Sequence, residues 1–380
     1  MYNRWQLYSR FRIQEVTFCE ANFTFSLRSE TRWHTDNADC VLLFCSTSNP
    51  LLAQTMKTHS PRTVVFILNY NGTKQTCDLL VSLRKVGFAH SVWVVDNGSK
   101  RDDSAMFVAA FPGVIIKRIV ENCGFAGGVN MAMRMAADEN FDYAYEMNND
   151  TLADDDFLSP CIDIMERRDD VDIVGSRVLN MNHDTGKYSI WGFHSRPEEA
   201  QSFPDGFLQT RHVSGCGMLL RVKTFLEFGG LDERFFCYGE ENDYCYRLAK
   251  AGRKQGIAAK SLIRHQGKLT TGGNWTRYWR ARNTILFSQL HDSSWQNSGS
   301  VLIKRSLIPG FKHLFHGDFE KTAAAGHGYA DAIRGRYGKR TRPFHRTKGT
   351  LLFLILSPFI FLYALFIHPR LHPCRPHLEP

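Results

Sequence analysis

Residues 143–151 read Tyr143-Ala144-Tyr145-Glu146-Met147-Asn148-Asn149-Asp150-Thr151. The first five have strand character and the rest form a polar tip, which predicts a buried strand at 143–147 that delivers Asp150 to its carboxyl end. The same arrangement recurs upstream. Val64-Val65-Phe66-Ile67-Leu68 runs into Asn69-Tyr70-Asn71-Gly72, and Val92-Trp93-Val94-Val95 runs into Asp96-Asn97-Gly98-Ser99. A further strand at 114–119 precedes the glycine-rich loop 121–130. A helical pattern at 74–86, with Cys77, Leu80, Val81 and Arg84 at helical spacing, separates the first two. Short β-branched runs alternating with helices predict an α/β domain built on a parallel sheet covered by helices.

Further along, the pattern predicts helices near 154–167, 240–251 and 278–290, with strands at 172–178, 213–220 and 256–264. In open α/β sheets ligands sit outside the carboxyl ends of the strands, where loops converge without disturbing the core. Three polar tips gather on that edge: 69–72, 96–99 and 148–151.

With 380 residues, 43% hydrophobic and 22% charged, the chain has ample core for one large or two modest domains. The formal charge of +9 is concentrated between Lys304 and Lys348, beside an apolar segment, which makes nucleic acid a poor partner. Ten cysteines in a chain this long, without paired short spacings, suit a reducing compartment and no cysteine zinc site. Residues 1–60 show no sustained period. Two readings of this leader stand side by side, a disordered tail and an over-extended gene start ahead of a natural Met56.

Several polar residues at the sheet edge have two available roles. Asp96 either caps its own Asp-Asn-Gly turn or accepts hydrogen bonds from a base or ribose. Asp150 either caps the next helix, a task Asp154 or Asp155 can also perform, or joins phosphate oxygens and water around a hard divalent cation. The loop 121–130 opens a helix with exposed amides that suit phosphate or sugar, although its glycine spacing is neither the dinucleotide fingerprint nor a P-loop. Acidic residues at 240–243 either complement a helix dipole or supply a base for an acceptor hydroxyl. His265 is either an exposed strand end or a neutral imidazole ligand to the same cation.

In this order, Asn69-Tyr70-Asn71-Gly72, Val95-Asp96-Asn97-Gly98-Ser99, the segment from Asn122 to Asn130, Asn148-Asn149-Asp150-Thr151, Gly239-Glu240-Glu241-Asn242-Asp243, His265 and Arg282-Asn283 resemble the family 2 glycosyltransferases, rhamnosyltransferase-like branch. The resemblance runs over 62–292 and weakens to about 343. It implies a GT-A fold, a Rossmann-like mixed sheet flanked by helices, with a nucleoside-diphosphate-sugar donor and Mg²⁺ or Mn²⁺. Carried over residue by residue, donor contacts fall on Asn69, Asn71, Asp96, Asn97, Asn122, Gly124, Phe125, Gly128, Asn130, Asn148 and Asn149. Metal ligation falls on Asp150, with Asn148 at the first acidic position of the Asp-x-Asp-like motif and help from His265. The base motif falls on Glu240-Glu241, with Glu241 preferred and Glu240 second, and Asp243 supports the acceptor site or helix start. The implied reaction is an inverting transfer to a saccharide or polyprenyl-diphosphate-linked acceptor, as in bacterial cell-surface polysaccharide synthesis. A sugar-phosphate nucleotidyltransferase and an inactive carbohydrate-binding scaffold are the alternatives.

The expected organisation is a leader at 1–60, the GT-A domain at 61–292, a basic helical extension at 293–349, a hydrophobic membrane segment at 350–368 and a tail at 369–380. Residues 351–367 carry no charge, and spanning a bilayer takes ~20 residues with a lower limit of roughly 17. Pro358 kinks or turns the segment, leaving a span, an interfacial hairpin and a buried helix open. The basic residues 334–348 before it place the catalytic domain on the cytoplasmic face of a bacterial inner membrane.

Overall fold

The computed structural model describes residues 4–5, 16–17, 61–182, 187–190, 205–267, 273–291 and 302–367. The expected tail at 369–380, most of the leader and the segments 183–186, 191–204 and 293–301 lie outside them. The chain divides into Met1–Thr58 and His59–Pro380. In the first unit, Arg4–Trp5 pairs antiparallel with Val16–Thr17.

The second unit opens with β1 (Thr63–Asn69), α1 (Thr73–Lys85), β2 (Ser91–Asn97), α2 (Ser104–Ala110), β3 (Ile115–Ile119), α3 (Gly124–Asp138) and β4 (Tyr143–Asn148). It continues through β5 (Thr151–Leu152), α4 (Ser159–Arg167), β6 (Val171–Asn182), β7 (Lys187–Ile190), β8 (Phe207–Gln209), β9 (Gly217–Arg221) and α5 (Val222–Glu227). α6 (Glu240–Lys250), β10 (Lys254–His265) and α7 (Asn274–Leu290) complete the sheet-bearing part. The ten-stranded sheet has the order β8-β10-β6-β9-β4-β1-β2-β3, with β5 added to β10 and β7 to β6. β1 pairs parallel with β2 and β4, and β9 runs antiparallel between β4 and β6. The mixed sheet therefore comes from β9 in its interior and from β5, β7 and β8, which all run against the other strands.

The near-continuous apolar runs reflect burial on both faces. Leu79, Leu80 and Leu83 of α1, Phe107 of α2 and Ile164 of α4 cover one face, against Val65, Ile67 and Val94. Ala126, Val129, Ala132 and Met133 of α3, Phe225 of α5 and Tyr244 and Leu248 of α6 cover the other, against Val64, Phe66, Trp93 and Val95. The buried stripe of α1 is Thr76, Leu79, Leu80 and Leu83, so the expected stripe through Cys77 and Arg84 is corrected by about one position. α4 starts at Ser159 rather than near 154, because Asp156 Oδ1 accepts from the amides of Leu158 (3.1 Å) and Ser159 (3.0 Å). β9 starts at Gly217, since residues 213–216 enter the sheet edge as loop. None of the six described cysteines forms a disulfide.

Beyond the sheet, a π-helical turn (Ile303–Leu307) leads to α8 (Ile308–Phe315), α9 (Phe319–Ile333) and α10 (Arg346–Leu362), which continues as a π-helical segment through Ile367. α9 packs against both α7 and α10, and Ala281, Ile285, Ala325, Tyr329, Phe353 and Ile360 form a separate core. Small residues permit this contact. A Cβ on Gly326 would lie 2.0 Å from the Gly349 carbonyl, and one on Gly349 would lie 2.5 Å from that of Ala323. Pro358 sits inside α10 without turning it, so no hairpin forms over the described length.

Glu146 departs from the apolar pattern of the sheet. Its side chain is 0% exposed, and neither carboxylate oxygen has a partner among the described residues. Desolvation, reinforced by Glu241, Asp150 and Glu240, pushes its carboxyl well above the ordinary range. A carboxyl with a raised folded-state pKa favours folding below the unfolded value, and that contribution is lost as pH rises through the folded one. Glu146→Gln is therefore expected to flatten the fall of the melting temperature between acid and alkaline pH. A melting curve at each pH checks this, and an unchanged slope would contradict it.

Candidate active site

The parallel register places Asn69 beside Asp96 and Leu68 beside Asn148, so three strand ends meet along one edge. Asn69 Nδ2 donates to Asp96 Oδ1 (3.0 Å) and to Ser99 Oγ (3.3 Å). Its Oδ1 accepts from the Gly72 amide (3.2 Å) and Thr76 Oγ1 (2.9 Å). Asp96, 4% exposed, also accepts from Ser99 Oγ, while Arg118 Nε stands 3.6 Å from its Oδ2. Asn71 has φ 51°, donates from its amide to Ser99 Oγ (2.8 Å) and accepts the Lys100 amide (3.0 Å). These bonds tie the carboxyl ends of β1 and β2 together and occupy Asp96 Oδ1 within the protein.

The next loop is held by Asn97. Its Nδ2 donates to the Gly124 carbonyl (2.8 Å), and its Oδ1 accepts from the Cys123 amide (3.1 Å). Asn122 Oδ1 accepts from the Gly124 amide (2.8 Å). Gly124 has φ 81°, and a Cβ there would lie 2.3 Å from the Phe236 carbonyl. Gly128 lies against Leu68 and Asn97, which would leave 2.6 Å to Leu68 Cδ1 for a Cβ. Phe125 packs beside Gly215. Asn130 is turned the other way: its Nδ2 donates to the Leu231 carbonyl (2.8 Å) and Glu233 Oε1 (2.9 Å). Asn149 likewise donates back to the Gly72 carbonyl (3.4 Å) and Thr76 (3.3 Å). Asn97, Asn130 and Asn149 thus serve the protein's own backbone and loops. The side chain of Asn148 remains half-buried at the edge.

Asp150 and His265 meet. β10 carries a bulge between Ala258 and Leu262, after which His265 pairs with Asn180 of β6 on one side and Thr151 of β5 on the other. That double pairing delivers His265 Nε2 to 3.2 Å from Asp150 Oδ1, with Asp150 only 6% exposed. Asn180 Oδ1 lies 2.6 Å from His265 Nδ1, so the assigned amide orientation puts the ring proton on Nδ1. A neutral ring in that tautomer would turn the Nε2 lone pair toward the carboxylate, a geometry in which a cation between the two would fit. Ligands ~2.1 Å from a hard cation at right angles lie ~3 Å apart, so this pair fits two neighbouring coordination positions. Among the described residues no group of three or more His, Cys, Asp and Glu side chains could hold a metal ion. The remaining ligands would have to be phosphate and water.

α6 begins with Glu240 and Glu241, which act electrostatically on Glu146 together with Asp150. Glu240 is 2% exposed with Oε2 unpartnered among the described residues, and burial, then Glu241, raises its carboxyl well above the usual range. Glu241 is half-buried, and its Oε2 accepts from the Gly239 amide (3.2 Å). Asp243 is tied to Arg247 Nε (2.9 Å) and His291 Nε2 (2.8 Å), which makes it an anchor of the helix start.

The segment before Glu240 is strained, with Phe236 at φ 64°, Tyr238 at 72° and Gly239 at 106°. Two buried residues of α7 hold it. Asn283 Nδ2 donates to the carbonyls of Phe235 (2.9 Å), Cys237 (2.8 Å) and Tyr238 (2.7 Å). Arg282, 0% exposed, donates to those of Arg234, Phe235 and Gly338, each at 2.7 Å. Sequence reasoning identified this dipeptide without a role, and it missed Glu146 altogether. The readable signal for Glu146 was a lone carboxylate inside a strand run.

Residues 64–229 match the glycosyl transferase family 2 sequence family. The chain is 25% identical over 253 residues to the low-salt glycan biosynthesis hexosyltransferase Agl10 of Haloferax volcanii, covering 58% of this chain and 76% of that protein. It also superposes on a crystal structure of GalNAc-T7 determined with UDP, GalNAc and Mn²⁺, with a TM-score of 0.51 and 11% identity. That match covers 64% of this chain and 50% of the GalNAc-T7 chain, and it supports the GT-A fold. The family match covers residues 64–229, and together with the sheet it supports a family 2 glycosyltransferase domain there.

Proposed function

We propose that the chain moves a hexose or related sugar, rhamnose-like sugars included, from a nucleoside-diphosphate donor to an acceptor hydroxyl, inverting the anomeric centre. The observation that carries this reading is the meeting of Asp150 Oδ1 and His265 Nε2 at 3.2 Å, at the strand edge next to Glu146, whose carboxyl also feels Glu240 and Glu241 at the acidic start of α6. The hexosyltransferase relative and the UDP and Mn²⁺ of the GalNAc-T7 structure support it.

Asp150 and His265 would hold Mg²⁺ or Mn²⁺, which when bound supplies positive charge to a departing diphosphate. The edge residues Asn69, Asp96 and Asn148 orient the donor, and the amides at the start of α3 offer further positive potential. Glu241, half-buried and reachable, takes the acceptor proton as the hydroxyl oxygen bonds to the anomeric carbon and the diphosphate leaves with its bonding pair. Glu240, buried and with its carboxyl pushed well above the ordinary range, is too enclosed for that role. Arg282 and Asn283 position Glu241 through the strained segment.

α10 supports membrane attachment. The helix with its extension, Arg346–Leu365, is 20 residues long with a mean hydropathy of 1.8, and 28% of its most apolar stretch is buried. Gly349, Phe353, Ser357 and Ile360 are its buried residues, while Leu351, Ile355 and Phe359 are 57%, 51% and 65% exposed. Because α9, which holds buried Asp331 and His327, lies along it, a seat in the lipid interface suits it better than a span. The basic residues before it favour the anionic cytoplasmic leaflet of a bacterial inner membrane, where a saccharide or polyprenyl-diphosphate-linked acceptor of cell-surface polysaccharide synthesis would be met.

Glu241→Gln is expected to lower transfer by roughly 10²–10⁴-fold with an unchanged melting temperature, the contribution of a positioned base, whereas Glu240→Gln stays within a few-fold of wild type. Transfer assays with nucleotide sugars and Mn²⁺ check this, and full activity of Glu241→Gln would remove it from the mechanism. Asn283→Ala should reduce turnover more than donor affinity, and an unaltered rate would show that the strained segment needs no clamp. Alkaline carbonate should release the protein from membranes, while retention would mean that α10 spans.

A further inference from the structure

We propose that a basic cavity between α9 and the start of α10 holds the phosphate or diphosphate headgroup of a lipid whose tail runs along the outer face of α10. The cavity measures about 490 Å³ and is lined by Arg334, Arg336, Lys339, Arg340, Arg342 and Lys348, with Asp331 as its one carboxylate. Asp331 is already committed. It pairs with Arg340 and accepts from Tyr278 Oη at 2.9 Å. Lys339 pairs with Glu121 at 3.2 Å, whereas Arg334, Arg336, Arg342 and Lys348 have no acidic partner among the described residues. Four uncompensated cations around one concavity call for a multiply charged anion, and guanidinium groups match phosphate oxygens in geometry.

The surroundings specify a lipid. Lys348 and Leu352, both lining the cavity, sit one turn apart on α10, and the exposed Ile355 and Phe359 continue the same side at helical spacing. Charge complementarity and apolar surface therefore join without a break, the pattern of a headgroup site bordering an acyl layer. Backbone and side-chain bonds tie the cavity to the neighbourhood of the candidate site. The Gly338 amide donates to the Arg234 carbonyl at 2.9 Å, the Gly338 carbonyl accepts from Arg282, and Lys339 reaches Glu121 at the head of the donor loop. A headgroup held here would lie on the segment that borders both the donor loop and the loop carrying Glu241.

This inference rests on the membrane reading above, and vesicle binding separates the two. Full-length protein is floated with phosphatidylcholine vesicles, with and without geranylgeranyl diphosphate, and donor hydrolysis is measured in parallel. Wild type should bind both, and the diphosphate lipid should strengthen retention. In Arg336→Ala/Arg342→Ala that gain should shrink by roughly 30-fold, the effect of two basic side chains near an anionic surface, while binding to plain vesicles, melting temperature and donor hydrolysis stay unchanged. The conservative Arg336→Lys/Arg342→Lys variant should recover most of the gain and covers the case in which the alanine pair fails to fold. Equal binding of wild type to both vesicles, or an undiminished gain in the alanine variant, would overturn the proposal. Inorganic pyrophosphate that binds the cavity while the lipid does not would make it a soluble-anion site and would also overturn it. Failure to bind any vesicle, with donor hydrolysis intact, would remove the membrane reading and this inference together.

Discussion

The site depends on the register of two parallel strand pairs, β1 with β2 and β1 with β4, which sets Asn69 against Asp96 and Leu68 against Asn148. A slip of one residue would turn each polar tip to the other face and bury Val64 and Phe66 on the wrong side of the sheet. The two hydrophobic faces therefore hold the register, and the register holds the polar edge. Asn69 ties that alignment together by bonding at once to Asp96, Ser99, Gly72 and Thr76. The same logic works on the other side, where the bulge in β10 sets the pairing that brings His265 to Asp150.

Elsewhere the chain accepts local cost. Phe236, Tyr238 and Gly239 adopt left-handed backbone, and Glu146 and Glu240 are buried without full hydrogen bonding among the described residues. Non-glycine residues in that region cost of order 1–3 kcal/mol each, and they persist where surrounding bonds over-determine them. Arg282 and Asn283 supply those bonds, six of them to the backbone carbonyls of 234–238 and 338. The helical extension thus reaches the active site through Gly338 and Lys339, and α7 links the sheet domain to the α9–α10 layer.

Much of this was legible in the sequence, for a definite reason. Apolar runs such as Val64–Leu68 end sharply, so the carboxyl edge and its polar tips can be located before any pairing is known. The reversed strand β9 could not, because antiparallel insertion leaves the same apolar pattern as a parallel strand buried on both faces. Asn97, Asn130 and Asn149 read as donor contacts and each bonds to the protein itself, while Asp243 takes the second of its two readings, at the helix start. An amide or carboxylate in a loop has the same appearance whether its partner is a nucleotide or a carbonyl a hundred residues away, as with Asn130 and Leu231. The helix after Asp150 looked as if it began near 154 because four carboxylates compete to cap it, and Asp156 prevails by reaching the amides of Leu158 and Ser159.

If Asp150 and His265 are the ligands, as proposed, they are two facing groups with no third His, Cys, Asp or Glu among the described residues to complete a site, so a cation should be held firmly only when a nucleotide completes its shell. Electron paramagnetic resonance of Mn²⁺ titrated into the protein, with and without UDP or GDP, tests this directly. One tightly bound Mn²⁺ that appears only with a nucleoside diphosphate, and is lost in Asp150→Ala, is the predicted result. Tight Mn²⁺ binding without nucleotide, or binding undiminished in Asp150→Ala, would contradict it.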